Sequence, residues 1–85
     1  MTREEAKRIL EENKLSNYIW FNESMYEPNY VGITENGNGY EVYATSERGT
    51  PSGIKVFTSE ADALTNFISR VESLNRLKKK YPNGF

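Results

Sequence analysis

The sequence predicts one α+β domain: an antiparallel three- or four-stranded sheet with an N-terminal helix and a long C-terminal helix on one face, in the order α-β-β-β(-β)-α. Three observations carry this. Leu64, Phe67, Ile68, Val71, Leu74 and Leu77 recur at helical spacing. Two alternating apolar runs, residues 30–35 and 40–45, flank Asn36-Gly37-Asn38-Gly39. Thr2, followed three residues later by Glu5, forms a capping-box pattern ahead of Ala6, Ile9 and Leu10.

Taken in order, the first helix covers residues 3–13, with Ala6, Ile9, Leu10 and Asn13 on one face. It is short and needs the sheet to hold it. Tyr18-Ile19-Trp20-Phe21 reads as a first, irregular strand, and residues 22–29, with Pro28, as a polar loop. The hairpin turn offers Asn-Gly for a type I′ pair or Gly-Asn for type II′. Either choice moves the register by an even step, so Val31 and Ile33 share a face with Val42 and Ala44. Both helices belong on that face. The opposite one, with Tyr30, Gly32, Thr34, Glu41, Tyr43 and Thr45, reads as a mixed aromatic and polar surface that helices need not cover.

After a loop with Gly49, Pro51 and Gly53, residues 54–57 form a short strand whose facing stays open, because Ile54 and Val56 oppose Phe57. Thr58 or Ser59 caps the last helix, and Glu60 and Asp62 sit in its first turn, where the helix dipole favours acids. That helix ends near Lys80, ahead of Pro82 and Gly84, with residues 78–85 read as a frayed basic tail of the single domain 1–85.

Eighty-five residues allow only a modest core. The absence of cysteine excludes disulfide staples and thiolate metal sites and favours a reducing compartment, so the expectation is a cytoplasmic protein. The first fifteen residues are too charged for a signal-peptide core, and the run 18–21 is far too short to span a bilayer. Charge is unevenly placed along the chain. Residues 23–62 hold seven acids against Arg48 and Lys55, whereas residues 63–85 hold five bases against Glu72. A single-sign patch can steer a charged partner, and a solvated surface with lysines at a helix C-terminus explains the same pattern.

Most chemistry lacks its residues here. With neither histidine nor cysteine, the common nucleophile-base pairs and the common zinc and iron sites have no members, so no enzyme, no metal and no cofactor is expected. Glu23, Glu27, Glu41 and Glu47 lie on polar loops or an outward face, where no burial shifts a carboxylate toward acid-base work. The glycines match neither GxGxxG nor a Walker pattern. A double-stranded RNA-binding domain shares the element order, but it meets phosphates with basic residues at the start of its last helix, where this chain has Ser59, Glu60 and Asp62. Lys78, Lys79 and Lys80 sit at the far end, a place where lysines complement the dipole. Glu47-Arg48-Gly49 reads either as a local ion pair with a turn glycine or as a carboxylate and guanidinium displayed for a partner. Tyr30 and Tyr43, on the uncovered face, read either as sheet filler or as interface anchors.

These pieces together resemble the immunity protein 59 family, small bacterial proteins that neutralise a polymorphic toxin made by the same cell. The resemblance lies in residues 3–13 (REEAKRILEEN), residues 26–33, the step from Tyr43 to Gly49, and residues 57–64 (FTSEADAL), and so covers most of residues 3–68. From Ser69 onward the chain is longer and more basic than that pattern. The resemblance implies an inhibitor that binds its toxin domain in the cytoplasm and blocks the active site or substrate entry by occupancy. Against a nuclease toxin, Glu23, Glu27, Glu41 and Glu47 would stand in for phosphates, with Tyr30, Tyr43 and Arg48 as anchors. Two other classes stay open: an adaptor or phage-type accessory protein using the same face, and a nucleic-acid module using the lysine-rich C-terminus.

Overall fold

A computed structural model describes residues 1–21 and 27–80. The elements are α1 (Arg3–Glu12), β1 (Tyr18–Trp20), β2 (Val31–Asn36), β3 (Gly39–Thr45), β4 (Pro51–Phe57) and α2 (Glu60–Lys80). The α+β class, the order α-β-β-β-β-α and both helices follow the sequence reading. The strands lie side by side in chain order, β1-β2-β3-β4.

Each helix starts where its cap chemistry places it. The Thr2 hydroxyl accepts from the Glu5 amide at 3.1 Å, and the Ser59 hydroxyl accepts from the Asp62 amide at 3.3 Å, so Ser59 rather than Thr58 opens α2. The apolar stripes then meet the sheet. Ala6 and Leu10 of α1, Val31, Ile33 and Val42 of the sheet, and Ala63, Leu64, Phe67, Ile68 and Val71 of α2 form one buried cluster. The β2–β3 register pairs Ile33 with Val42 and Val31 with Ala44, the face assignment made from the sequence. Phe67 lies at the centre, with the Tyr18 ring 6.3 Å away edge-on and the Trp20 ring 5.9 Å away.

Two element ends move, β4 starting at Pro51 rather than at residue 54 and α2 keeping residues 78–80 in the helix rather than in a frayed tail, and the structure differs from the reading in three larger respects. First, the sheet is mixed: β1 runs parallel to β2, pairing Tyr18 with Val31 and Trp20 with Ile33. A two-residue turn would have forced an antiparallel partner, but ten residues separate Trp20 from Val31, close to the dozen that a parallel connection takes. Asn17 (φ 61°) and Phe21 (φ 48°) take left-handed backbone at either end of this strand. Most of the loop expected over residues 22–29 lies outside the described residues.

Second, the hairpin turn is neither type I′ nor type II′. Its loop is Gly37-Asn38, yet the positive φ falls on Gly39 (117°). The Asn36 side chain accepts from the Asn38 amide at 2.9 Å, an Asx turn that bends the chain locally, and the left-handed residue follows it. A Cβ at Gly39 would lie 2.5 Å from the Phe57 carbonyl oxygen, so no other residue fits there.

Third, the face opposite the helices is not a polar surface. Ile19, Gly32, Thr34, Tyr43 and Thr45 are all buried. Tyr43 pairs directly with Gly32 and its ring fills the space a side chain there would take, since a Cβ at 32 would stand 2.2 Å from the ring.

A polar clasp joins α2 to the α1–β1 connection. The Asn75 amide oxygen accepts from the Ser16 backbone at 3.0 Å, and its nitrogen donates to the Ser16 carbonyl at 2.9 Å and to that of Val71 at 2.8 Å. Lys78, within α2, donates to the Ser16 hydroxyl at 2.9 Å and to the Asn17 side chain at 2.6 Å. Asn75→Ala is expected to cost about 1–2 kcal/mol, because it strips two partners from one backbone segment. A urea midpoint that falls while the m-value holds would register this loss.

Candidate functional site

Thr45, the last residue of β3, gathers one rim of the sheet. Its hydroxyl donates to the Glu27 carbonyl and accepts from the Tyr30 amide at 2.7 Å, while its own amide donates to the Tyr30 carbonyl at 2.8 Å. Asn29 is tied to the same rim through the Ser46 carbonyl at 3.2 Å, and the Asn17 side chain donates to the Asn29 carbonyl at 3.2 Å. Beyond Thr45 the chain turns on Ser46. The Ser46 hydroxyl accepts from the amides of Arg48 and Thr50, and its carbonyl accepts from that of Gly49, whose φ of 77° closes the turn.

Glu27, Tyr30, Glu47 and Arg48 are therefore brought to one end of the sheet, with Glu27, Glu47 and Arg48 exposed and Tyr30 half-buried. The other candidates do not join them. Glu41 is four residues back along β3, roughly 13 Å away, half-buried and paired with Thr34 and Val56. Tyr43 is only 4% exposed, so it cannot anchor an interface as expected; its contribution is to fill the space over Gly32. Glu23 lies outside the described residues.

The more telling surface is β4, which was not singled out from the sequence. It is the last strand of the sheet, and among the described residues nothing pairs with its outer edge. Its register against β3 runs Tyr40–Phe57, Glu41–Val56 and Val42–Lys55, then slips, resuming at Ala44–Ser52 and Thr45–Pro51. Gly53 and Ile54 together oppose Tyr43, with Gly53 at φ 57°, the arrangement of a bulge built on a left-handed glycine. The bulge settles the facing left open by the sequence. Phe57 packs on the helix-side core, Lys55 shares that side, and Ile54 and Val56 point the other way, 55% and 51% exposed. A glycine inside a strand next to a conflict of alternation is the signal that could have revealed it.

Arg70 of α2 reaches this bulge. It donates to the Val42 carbonyl at 3.2 Å, and one of its nitrogens would lie 3.2 Å from a Cβ at Gly53. Burial pushes its pKa below the ordinary arginine value, though a guanidinium stays charged at neutral pH. Lys55 lies over the Phe57 ring at 5.5 Å. Among the described residues neither cation has a carboxylate partner. Arg3 is the contrast. It pairs with Glu60 at 2.5 Å and Glu35 at 3.2 Å, and the Glu60 bond above all raises its pKa.

Two concavities among the described residues are small. An apolar groove of about 110 Å³ runs between Tyr30, Val31, Ala44 and the exposed Leu77, and a second concavity of about 210 Å³ lies between Lys14, Glu72, Arg76 and Lys79. Both fall below the roughly 300 Å³ at which small-molecule clefts begin. Among the described residues no group of three His, Cys, Asp or Glu side chains could hold a metal, and no helix is long and apolar enough to cross a membrane.

Fold and surface together define a small α+β domain with one helix-covered face and, among the described residues, one unpaired sheet edge bearing Ile54 and Val56. Neither a family model, a curated protein nor a solved structure matches the chain.

Proposed function

We propose that this chain is a non-catalytic binding protein, and that its partner is the toxin domain implied by the resemblance to immunity protein 59, neutralised by occupancy of its active site or substrate entry. The observation that carries the binding reading is the exposure of Ile54 and Val56, two β-branched apolar side chains side by side on an edge strand. Over residues 54–57 such a strand presents both apolar area and backbone hydrogen-bonding groups, while Pro51 and the bulge at Gly53 guard the rest of the edge. The rim carrying Glu47 and Arg48 leads directly into β4, so a partner seated on the strand also meets a carboxylate and a guanidinium. Lys78, one of the three lysines that a nucleic-acid reading would use, is already engaged with Ser16 and Asn17.

Growth rescue tests the proposal. The C-terminal domain encoded by the immediately upstream gene is expressed with and without this chain. Killing by that domain, relieved when this chain is present and forms a complex with it, is the expected result. A harmless domain, or one that kills regardless, removes the toxin from the proposal and passes the binding surface to the adaptor reading.

A further inference from the structure

The edge of β4, unpaired among the described residues, has a chemistry of its own, different on its two sides. On the helix side stand Lys55, the register partner of Val42, and Arg70, which donates to the Val42 carbonyl. On the other side stand Ile54 and Val56. We propose that residues 54–57 receive an extended segment of the partner as a fifth strand, with side chains alternating between acidic, toward Lys55 and Arg70, and apolar, toward Ile54 and Val56. This rests on reading the chain as a binding protein, and it names the chemistry of what is bound.

Strand addition supplies affinity through main-chain hydrogen bonds and specificity through alternate side chains. A residue directly across from Lys55 would have its Cβ about 5 Å away, within reach of an ion pair. Arg70 adds a planar fork on the same side, suited to a carboxylate. The same charges decide against a second copy of this chain. Two β4 edges brought together would set Lys55 and Arg70 of one against those of the other, and like charges across strands repel. Beyond the bulge the edge is also closed, because Pro51 has no N–H and Gly53 bends the strand away. Four residues, 54–57, remain for pairing.

The test is a titration of the full chain, followed by amide NMR, with the blocked heptapeptide Thr-Glu-Val-Glu-Val-Glu-Thr and its lysine counterpart Thr-Lys-Val-Lys-Val-Lys-Thr. The expected result is shifts and slowed hydrogen exchange confined to residues 54–57 and their β3 neighbours, with the lysine peptide at least tenfold weaker. Lys55→Glu, at an exposed position, should abolish that preference, since Arg70 remains beside it. Equal affinity for the two peptides, shifts elsewhere, no binding, or β4 shifts that follow protein concentration without peptide would each overturn the proposal. Because the probe is a peptide, this outcome is independent of growth rescue, which judges the toxin reading alone.

Discussion

Phe67→Ala is expected to remove a large share of the folding free energy and to bring the chain much closer to unfolding. The side chain is fully buried, touches both strand-borne aromatics Tyr18 and Trp20, and belongs to the single cluster that joins both helices to the sheet. Truncating a buried phenylalanine costs about 3–5 kcal/mol, part for lost transfer and part for the cavity left behind. Domains of this size have roughly 4–13 kcal/mol in total at the usual 0.05–0.15 kcal/mol per residue. Relaxation cannot recover much, because Leu64 and Val71 on the same helix face are also held without exposure. Circular dichroism with urea reads the result: a midpoint displaced far toward zero denaturant is expected, and a shift worth less than 1 kcal/mol would show that Phe67 is not the keystone of the core.

Gly32→Val should have the next largest effect, and it acts on the opposite face. A valine is a better strand residue than glycine by propensity alone. Here the sign reverses, because its Cβ would fall 2.2 Å from the Tyr43 ring, and Tyr43 is buried. Displacing a packed ring by overpacking costs about 1–3 kcal/mol. The diagnostic is non-additivity. Tyr43→Ala alone opens a void over Gly32, whereas the double variant fills that void with the new side chain, so the two changes together should cost less than their sum by about 1 kcal/mol or more. Strict additivity in thermal melts of the four proteins would mean that ring and glycine do not depend on one another.

Legibility followed the range of the interactions involved. The helices were readable because caps and apolar spacing are local, and Thr2, Ser59 and the stripe from Leu64 to Val71 announce them within one or two turns. Although the register itself was left between neighbouring choices, the facing of the hairpin strands was readable because period-two alternation places Val31, Ile33, Val42 and Ala44 together under either turn. The direction of β1 was not, since it depends on where a ten-residue return delivers the chain rather than on Tyr18-Ile19-Trp20 themselves. Tyr43 was misplaced for a related reason: alternation gives its face correctly, but only the pairing with Gly32 shows that its ring folds down instead of standing out. Of the candidate site, Glu27, Tyr30, Glu47 and Arg48 do share a rim. Ile54, Val56, Lys55 and Arg70 were passed over because their arrangement is created by the bulge at Gly53, a long-range register event.

The mixed sheet divides the molecule by chain entropy. β2, β3 and β4 are joined by loops of two and five residues, so that meander closes almost entirely through local contacts. The β1–β2 ladder must close a loop of ten, dearer than the two-residue turn by about 1.4 kcal/mol on simple polymer grounds. The strand offered to a partner thus lies in the cheaply closed meander, while the costlier parallel closure sits on the opposite border of the sheet. Recognition at β4 therefore draws on the part of the sheet that closes over its shortest loops.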